Sequence, residues 1–263
     1  MKISLLYYSG AGNTKFIAKA LAKKLKEENH EVKLSKVTDS FAQNFDQDFD
    51  LVIIGFPVYD LTSPLSVRAL VNNLNVSNKP IAFFCTKAFA SADAILELTQ
   101  ITKKKGMKNI AKIEFYMPGT DMLGMFAKKD SKTERVVKFF HSRNIGSKLD
   151  QFIKKIERVE IDSFSKKWYV YLAPLIPKKW KDAFHNQYNR FVPKFFSIDD
   201  RCIECMKCVK GCPRENIQFD EGIKFELNCD MCLHCLHHCP SDSIQVGKFT
   251  EGTVRYNRVE FKI

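Results

Sequence analysis

The first 116 residues alternate short apolar runs with amphipathic segments. The runs predict five strands, at Lys2–Tyr8, Glu31–Val37, Leu51–Phe56, Ile81–Thr86 and Ile110–Tyr116. Ile17, Leu21 and Leu25 recur at four-residue spacing, which predicts a helix after the first strand. Further helices are predicted at Leu65–Leu74 and Ala92–Lys105, and one or two more within Thr133–Val159. Because strands and helices alternate, this part is predicted to be an α/β domain with a doubly wound parallel sheet.

A second pattern begins near residue 200, where eight of the nine cysteines lie in two repeats of Cys-x2-Cys-x2-Cys-x3-Cys-Pro, 27 residues apart. Such spacing is typical of [4Fe–4S] clusters, in which three cysteines of one run and the fourth of the other hold each cluster. The prediction is one cluster on Cys202, Cys205, Cys208 and Cys239, and a second on Cys229, Cys232, Cys235 and Cys212. Structural zinc sites use separated cysteine pairs, and disulfides require an oxidising compartment that no sequence feature indicates.

Three histidines, His234, His237 and His238, lie among these cysteines. Because the eight thiolates already fill every ligand position, we expect the histidines to be exposed or to tune the clusters rather than to bind iron.

The segment after the first strand has the composition of a phosphate-binding loop. It comprises Ser9, Gly10, Ala11, Gly12, Asn13 and Thr14, and it leads directly into a helix. It does not fit the P-loop pattern, and Lys15 stands where a dinucleotide-binding loop has its third glycine. The hydroxyls and the amide suit a terminal phosphate monoester such as that of FMN; a tight turn without a ligand is the alternative.

Two further loops follow the third and fourth strands and would share the same sheet edge. They contribute the candidate flavin-ring residues Pro57, Val58, Tyr59, Asp60, Thr86, Lys87 and Phe89, in loops that extend to Thr62 and Ser91. Tyr59 and Phe89 could pack on the ring or serve only as hydrophobic packing. Cys85 is expected to be a buried small residue.

Charge is unevenly distributed along the chain of 263 residues, which has a net charge of +12. Residues 128–195 hold 17 basic and 7 acidic side chains, so this segment alone carries +10. Within it, residues 164–197 are rich in aromatic and basic residues and are predicted to be a connector. The favoured partner of the basic segment is an acidic redox carrier, such as a small ferredoxin or flavodoxin. A solvated face without a partner and a peripheral membrane contact stay open, whereas nucleic acid is not expected because no DNA-binding module is recognisable.

No apolar run approaches the ~20 residues of a membrane-spanning helix. The segment that follows Met1 lacks a signal-peptide cleavage site. We therefore expect a soluble, cytoplasmic protein.

Residues 198–246 resemble bacterial two-cluster ferredoxins, and residues 1 to about 160 resemble flavodoxins. The whole chain is similar to the flavodoxin–ferredoxin fusion proteins of the EFR1 family of anaerobic bacteria. The resemblance implies an FMN domain at 1–163, the connector at 164–197, and an α+β two-cluster ferredoxin-like domain at 198–263 with a strand or hairpin at Gly252–Ile263.

The function that this combination predicts is electron relay between two [4Fe–4S] clusters and a bound FMN, and on to a redox partner. Two alternatives stay open, an FMN-dependent reductase of a small quinone or nitro compound and a redox-sensing regulator. No dedicated catalytic acid, base or nucleophile is recognisable, so the chemistry is expected to be that of the cofactors.

Overall fold

The computed structural model describes residues 1–59, 61–88, 91, 94–139, 144–158 and 191–256. In its first part, strands and helices alternate along the chain. The elements are β1 (Lys2–Tyr7), α1 (Asn13–Glu27), β2 (Glu31–Lys36), α2 (Asp39–Gln43), β3 (Leu51–Pro57), α3 (Leu65–Asn73), β4 (Pro80–Lys87), α4 (Ala94–Lys104), β5 (Lys108–Tyr116), α5 (Thr120–Met125), α6 (Lys132–Phe139) and α7 (Ile145–Arg158).

The five strands form one parallel sheet in the order β2-β1-β3-β4-β5. Helices α1 and α7 cover one face, and α2, α3 and α4 cover the other. The central strand β3 is buried at every position, as expected for a strand covered on both sides. This topology confirms the predicted flavodoxin-like α/β fold, whose strand order reverses between β1 and β3.

The predicted strands and longer helices agree with the structure to within a few residues, and the segment 133–159 contains two helices, α6 and α7. Sequence reasoning missed α2 and α5, which have only five and six residues. Helices of one turn or so are too short to show an apolar period. Thr38 stabilises the start of α2 by accepting a 3.2 Å hydrogen bond from the backbone N–H of Phe41.

The second part of the chain is a small α+β unit. Its elements are a 3-10 turn (Val192–Phe195), β6 (Phe196–Ile198), α8 (Lys207–Gly211), β7 (Ile217–Phe219), β8 (Ile223–Phe225), α9 (His234–His238) and β9 (Ile244–Val246). Strand β6 pairs antiparallel with β9, and β7 pairs antiparallel with β8. These small sheets and helices are compatible with the predicted ferredoxin-like domain.

The cysteine repeat is a structural duplication. Strand β6, helix α8 and strand β7 recur 27 residues later as β8, α9 and β9, with identical lengths. Even the rare left-handed residues repeat, since Glu204 and Met231 have φ of 47° and 51°, and Met206 and Leu233 have φ of 58° and 53°. The cysteine loops of the two halves therefore have equivalent backbone geometry.

The two units are in direct contact. Met125 of α5 packs against the core of the second unit, which is formed around Leu233, Leu236 and Ile244. The N–H of Val254 donates to the carbonyl of Ala127 at 3.0 Å.

The predicted terminal strand or hairpin is described only as far as residue 256, where Lys128 and Thr253 form an isolated bridge. Residues 257–263, and the predicted connector before residue 191, lie outside the described residues. In the part of the chain that the structure covers, no helix is both long and apolar enough to cross a bilayer.

Candidate functional site

The carboxyl ends of β1, β3, β4 and β5 meet at one edge of the sheet. After β1 the chain turns through Gly12, whose φ of 116° is a conformation that glycine adopts without steric cost, and enters α1 at Asn13. Among the described residues no side chain caps α1, and its first turn carries no acidic residue. The N–H groups and the positive dipole end of α1 are therefore suited to bind an anion at this edge.

The hydroxyl groups of this loop differ in their hydrogen bonding. Ser9 Oγ is buried, and no described residue provides it with a hydrogen-bond partner. Thr14 Oγ1 is also buried, but it lies 2.8 Å from Thr86 Oγ1 at the end of β4. A buried hydroxyl without a partner is unfavourable, so Ser9 is the group whose environment best fits a phosphate oxygen. The predicted contact from Thr14 would require it to share or exchange its bond with Thr86.

The second unit covers the phosphate loop. Ala11 is buried against Val254 and Tyr256 near the end of the described chain. Asn13 donates a 2.9 Å hydrogen bond to the carbonyl of Pro118 and accepts one from the hydroxyl of Tyr256. Asn13 therefore connects three segments of the chain. The sequence had predicted only a hydrogen bond from Asn13 to the phosphate.

The second unit also approaches the loop closely at Gly10. A Cβ atom placed there would lie 2.5 Å from Cβ of Cys232 and 2.7 Å from the hydroxyl of Tyr59. Those distances leave no room for a side chain, so this position requires glycine because Cys232 and Tyr59 are so close.

The first predicted ring loop, which follows β3, is a tight turn. Backbone hydrogen bonds of 3.1 and 2.8 Å join Tyr59 and Thr62 in both directions. Leu61 has φ of 64°, and the Tyr59 ring meets the edge of the Tyr8 ring at a centroid distance of 6.3 Å. Asp60, another predicted contact, lies outside the described residues.

The second predicted ring loop, which follows β4, places Thr86 and Lys87 at the same edge. Lys87 Nζ lies 2.7 Å from the carboxylate of Glu114 and 4.7 Å from the centre of the Tyr116 ring. Burial alone would lower the pKa of Lys87, but the hydrogen bond and charge of Glu114 raise it above its ordinary value. Lys87 therefore stays charged and fixed against β5. Phe89 lies outside the described residues.

Sequence reasoning missed a third loop, residues 117–119, which follows β5 and leads through α5 to Phe126. This loop could have been predicted from its place after β5, because all parallel strands of the sheet end at this edge.

Together these loops enclose a cavity of about 440 Å³. It is lined by Asn13, Pro57, Val58, Tyr59, Leu61, Thr86, Lys87, Ala88, Met117, Pro118, Gly119, Thr120, Asp121, Met125, Phe126, Asp230 and Met231. The last two residues belong to the loop between Cys229 and Cys232. The cavity thus has walls from both units, and its size and mixed lining are typical of a cofactor site.

The cysteines lie in two groups. Cys202, Cys205, Cys208 and Cys239, here called the outer set, line one pocket whose described walls all belong to residues 198–244. Cys205 is exposed, and so is the neighbouring Ile203.

The other four, Cys212, Cys229, Cys232 and Cys235, are here called the inner set. Loss of hydration raises the pKa of the Cys229 thiol to about 12, and the neighbouring Cys212 contributes to that rise. Burial likewise raises the pKa of the Cys232 and Cys235 thiols, with added repulsion from Cys229 and Cys212. Cys212 thus lies with the second triplet although it follows the first in sequence.

In the described part of the chain, no group of three or more His, Cys, Asp or Glu side chains is arranged to bind a single metal ion. A [4Fe–4S] cluster is instead held by four cysteine thiolates. Because burial raises the pKa of the inner-set thiols, these side chains would release protons on binding a metal as thiolates. Cys85 is buried in the core, away from both groups.

His237 is completely buried, so of the two roles expected for it, exposure to solvent is wrong and tuning of the clusters stays a prediction. Its Nε2 donates to the carbonyl of Thr120 at 3.0 Å, and its Nδ1 accepts from the N–H of Tyr256 at 3.2 Å. His234 is partly buried, with Nδ1 2.7 Å from the carbonyl of Gly10. These side chains join the two units, a role that depends on tertiary contacts the sequence does not display.

A buried ionic network reinforces the same interface. Arg214 lies 2.6 Å from Asp39 at the start of α2 and 3.4 Å from Asp230. Tyr8 donates a 2.8 Å hydrogen bond to the other oxygen of Asp230. Lys36, the last residue of β2, donates to the carbonyl of Gly211 at 2.8 Å.

Residues 4–129 match the family model of the flavodoxin domain, so the chain has a flavodoxin-like domain at its N-terminal end. No curated protein matches the chain. Among solved structures it is similar to an archaeal flavodoxin, with 18% identity over 60% of this chain and 99% of the other, at a TM-score of 0.40. Flavodoxin 2 of Bacillus cereus gives 19% identity, coverage of 60% and 99%, and a TM-score of 0.43. The flavodoxin of Streptococcus pneumoniae TIGR4 gives 16% identity, coverage of 59% and 97%, and a TM-score of 0.45.

Proposed function

We propose that this chain is an intramolecular electron-transfer protein that binds FMN in its flavodoxin-like domain and one [4Fe–4S] cluster on each set of four cysteines. The observation that carries the proposal is the cavity of about 440 Å³ at the switch point of the sheet. One of its walls, formed by Asp230 and Met231, is part of the inner cysteine loop. When bound, FMN exchanges one or two electrons and each cluster exchanges one, so the chain would connect one-electron and two-electron carriers.

The residues present fit FMN. The phosphate would be bound by Ser9 Oγ, with which no described residue forms a hydrogen bond, and by the N–H groups at the start of α1. Tyr59, Met117 and Phe126 provide apolar walls for the ring. Lys87 is tied to Glu114, so it supplies a fixed positive charge at the cavity.

The clusters would be held by the outer and inner sets as defined above. The outer set faces solvent through Cys205, which suits exchange with an external carrier, whereas the inner set lies against the flavodoxin-like domain. Both sets belong to one covalent chain, so electron exchange between the cofactors needs no bimolecular encounter.

The test is anaerobic purification followed by cofactor analysis and stepwise reductive titration. Two clusters require about eight iron and eight acid-labile sulfide per chain, and acid should release FMN rather than FAD. A matched pair of variants assigns the ligands: Cys212→Ser should damage the inner cluster, and Cys239→Ser the outer one. A protein without iron, or one that releases FAD, would contradict the proposal.

An FMN-dependent reductase is the second candidate, because the cavity has exposed apolar side chains at its rim. Leu61 and Phe126 both line it and remain accessible to solvent. A small quinone or nitro compound could therefore approach from that side. Steady-state reduction of such a compound would favour this candidate. Phe126→Trp narrows the rim, so it should abolish that reduction and retain electron exchange between the cofactors.

The partner that we propose is an acidic one-electron carrier, bound by the basic segment 128–195 in the cytoplasm. Of its lysine pairs, Lys128–Lys129 and Lys154–Lys155 lie in the described part and are exposed. Lys166–Lys167 and the group Lys178, Lys179 and Lys181 lie outside it.

A further inference from the structure

The two halves of the cysteine duplication have the same backbone but different surroundings. Met231 corresponds to Glu204 and Asp230 to Ile203, each 27 residues apart. Ile203 is 65% exposed, whereas Asp230 is only 2% exposed. Glu204 is also exposed, while Met231 is half-buried in the cavity wall. The duplication has thus left one loop in solvent and placed its copy against the flavodoxin-like domain.

The buried copy contacts the cofactor loop at several atoms. Cβ and the carbonyl oxygen of Cys232 would lie 2.5 and 2.6 Å from a Cβ on Gly10. His234 Nδ1 lies 2.7 Å from the carbonyl of the same glycine. Tyr8, which precedes the loop, donates to Asp230 at 2.8 Å. A change in the path of the inner cysteine loop must therefore move or release both the phosphate loop and one wall of the cavity.

We propose that the inner cysteine loop is a structural part of the FMN site, and that FMN is bound tightly only while the inner set holds its cluster. The inference rests on the proposed function. A cluster would tie Cys229, Cys232, Cys235 and Cys212 together, and this fixes the path of the loop between them. Without the cluster, only noncovalent contacts hold Asp230 and Met231 in the wall. The loss of conformational entropy on ordering these two residues would then reduce the affinity for FMN.

The coupling is reciprocal, because two sites that influence each other's occupancy do so by the same factor in both directions. FMN should therefore strengthen the binding of the inner cluster by the same factor by which the cluster strengthens the binding of FMN. A chain whose inner cluster is destroyed would also release its flavin. The outer set has no such link, since its pocket is formed within residues 198–244 in the described structure.

The first experiment compares Cys229→Ser with Cys205→Ser, each of which removes one ligand from one set. The anaerobic proteins are freed of flavin and titrated with FMN, and the dissociation constant is read from the quenching of flavin fluorescence. We expect affinity to fall at least tenfold in Cys229→Ser and to stay within twofold of the wild type in Cys205→Ser. Iron analysis of each variant measures how much of the cluster content was lost, and electron paramagnetic resonance identifies which cluster remains. Equal affinity in both variants would overturn the proposal.

The second experiment keeps all eight cysteines, so it does not depend on a ligand variant folding. Met231→Ala removes side-chain volume from the cavity wall, and Glu204→Ala changes the corresponding residue of the outer loop. We expect weaker FMN binding, by several-fold, only in Met231→Ala, with an unchanged iron content in both. In the wild type, FMN should slow the release of about half of the iron to a chelator. Iron release that is indifferent to FMN would contradict the coupling.

These outcomes separate the inference from the function on which it rests. If the wild-type protein holds clusters but binds no FMN, the proposed function fails. If it binds FMN with one affinity whether or not the inner cluster is present, only the coupling fails.

Discussion

The hydroxyl of Tyr8, the residue that follows β1, donates a 2.8 Å hydrogen bond to Asp230, which lies 222 positions later between two cysteines of the inner set. Both side chains are buried, and Arg214 lies 3.4 Å from the second oxygen of the same carboxylate. A carboxylate at this depth requires such partners, because an unpaired buried charge is very unfavourable. The bond therefore fixes the inner cysteine loop to the sheet.

Tyr8→Phe should destabilise the folded chain. It removes one hydrogen bond to a charged group, for which the usual loss is about 1.5–3 kcal/mol. Denaturant unfolding of the anaerobic protein measures the change in midpoint. Tyr116→Phe is the control, since Tyr116 is at the exposed end of β5. An unchanged midpoint in Tyr8→Phe would show that water or another group replaces the bond.

Arg214→Met should be more damaging than Tyr8→Phe. Arg214 is 8% exposed and pairs with both Asp39 and Asp230, so its loss leaves two carboxylates at the interface without their main cation. Removing one partner of a buried ion pair typically costs about 3–5 kcal/mol. Arg201→Met breaks an exposed pair with Asp199 and should change the unfolding midpoint little. Equal effects of the two substitutions would mean that the interface pair contributes nothing beyond a surface pair.

Much of the flavodoxin-like half follows from local pattern, and the interface does not. The strand β3 is a continuous apolar run, and the period of Ile17, Leu21 and Leu25 defines α1, so both were predictable. The burial of His237 depends on Thr120 and Tyr256, which the sequence does not place beside it. The role of Gly10 likewise depends on Cys232, more than 200 residues later. Short helices and contacts between units are tertiary properties, which no window of sequence contains.

Ser9→Ala should separate cofactor binding from stability. Because Ser9 Oγ has no partner in the described structure, its removal should not destabilise the flavin-free protein. It should weaken FMN binding by about 1–3 kcal/mol, the loss expected for a hydrogen bond to a charged phosphate. Ser4→Ala, a buried serine within β1, is the control and should leave the FMN dissociation constant unchanged. A loss of stability without a loss of affinity would place the phosphate elsewhere.

Lys36 should raise the reduction potential of the inner cluster. Its ammonium group donates to the carbonyl of Gly211. Burial lowers the pKa of Lys36, and the nearby Cys232 and Cys212 oppose that shift. A nearby positive charge favours the more negative, reduced cluster. Lys36→Met should lower that potential by about 40–90 mV, equivalent to about 1–2 kcal/mol for one electron.

The control for Lys36 is Lys33→Met, on the same strand but exposed and paired with Asp46. Redox titration monitored by electron paramagnetic resonance resolves the two clusters. A shift confined to the outer cluster, or an equal shift in the control, would contradict the placement of Lys36 beside the inner set.

Docking of an acidic carrier on the basic segment should depend on salt. Residues 128–195 carry +10, and electrostatic complementarity mainly raises the rate of encounter. The Debye length falls from about 10 Å at 0.1 M salt to about 3 Å at 1 M, so the rate should fall over that range. Stopped-flow reduction by an acidic ferredoxin measures this rate in the wild type and in a variant with Lys178→Glu, Lys179→Glu and Lys181→Glu.

The matched control variant replaces Lys19, Lys23 and Lys26 by glutamate; these lysines are exposed on α1 and lie outside the basic segment. The first variant should be slowed much more than the control at low salt, and the two should converge at 1 M. Equal slowing would mean that only the net charge matters, whereas tight binding of the wild type to anionic vesicles would point to a membrane surface as the partner of this segment.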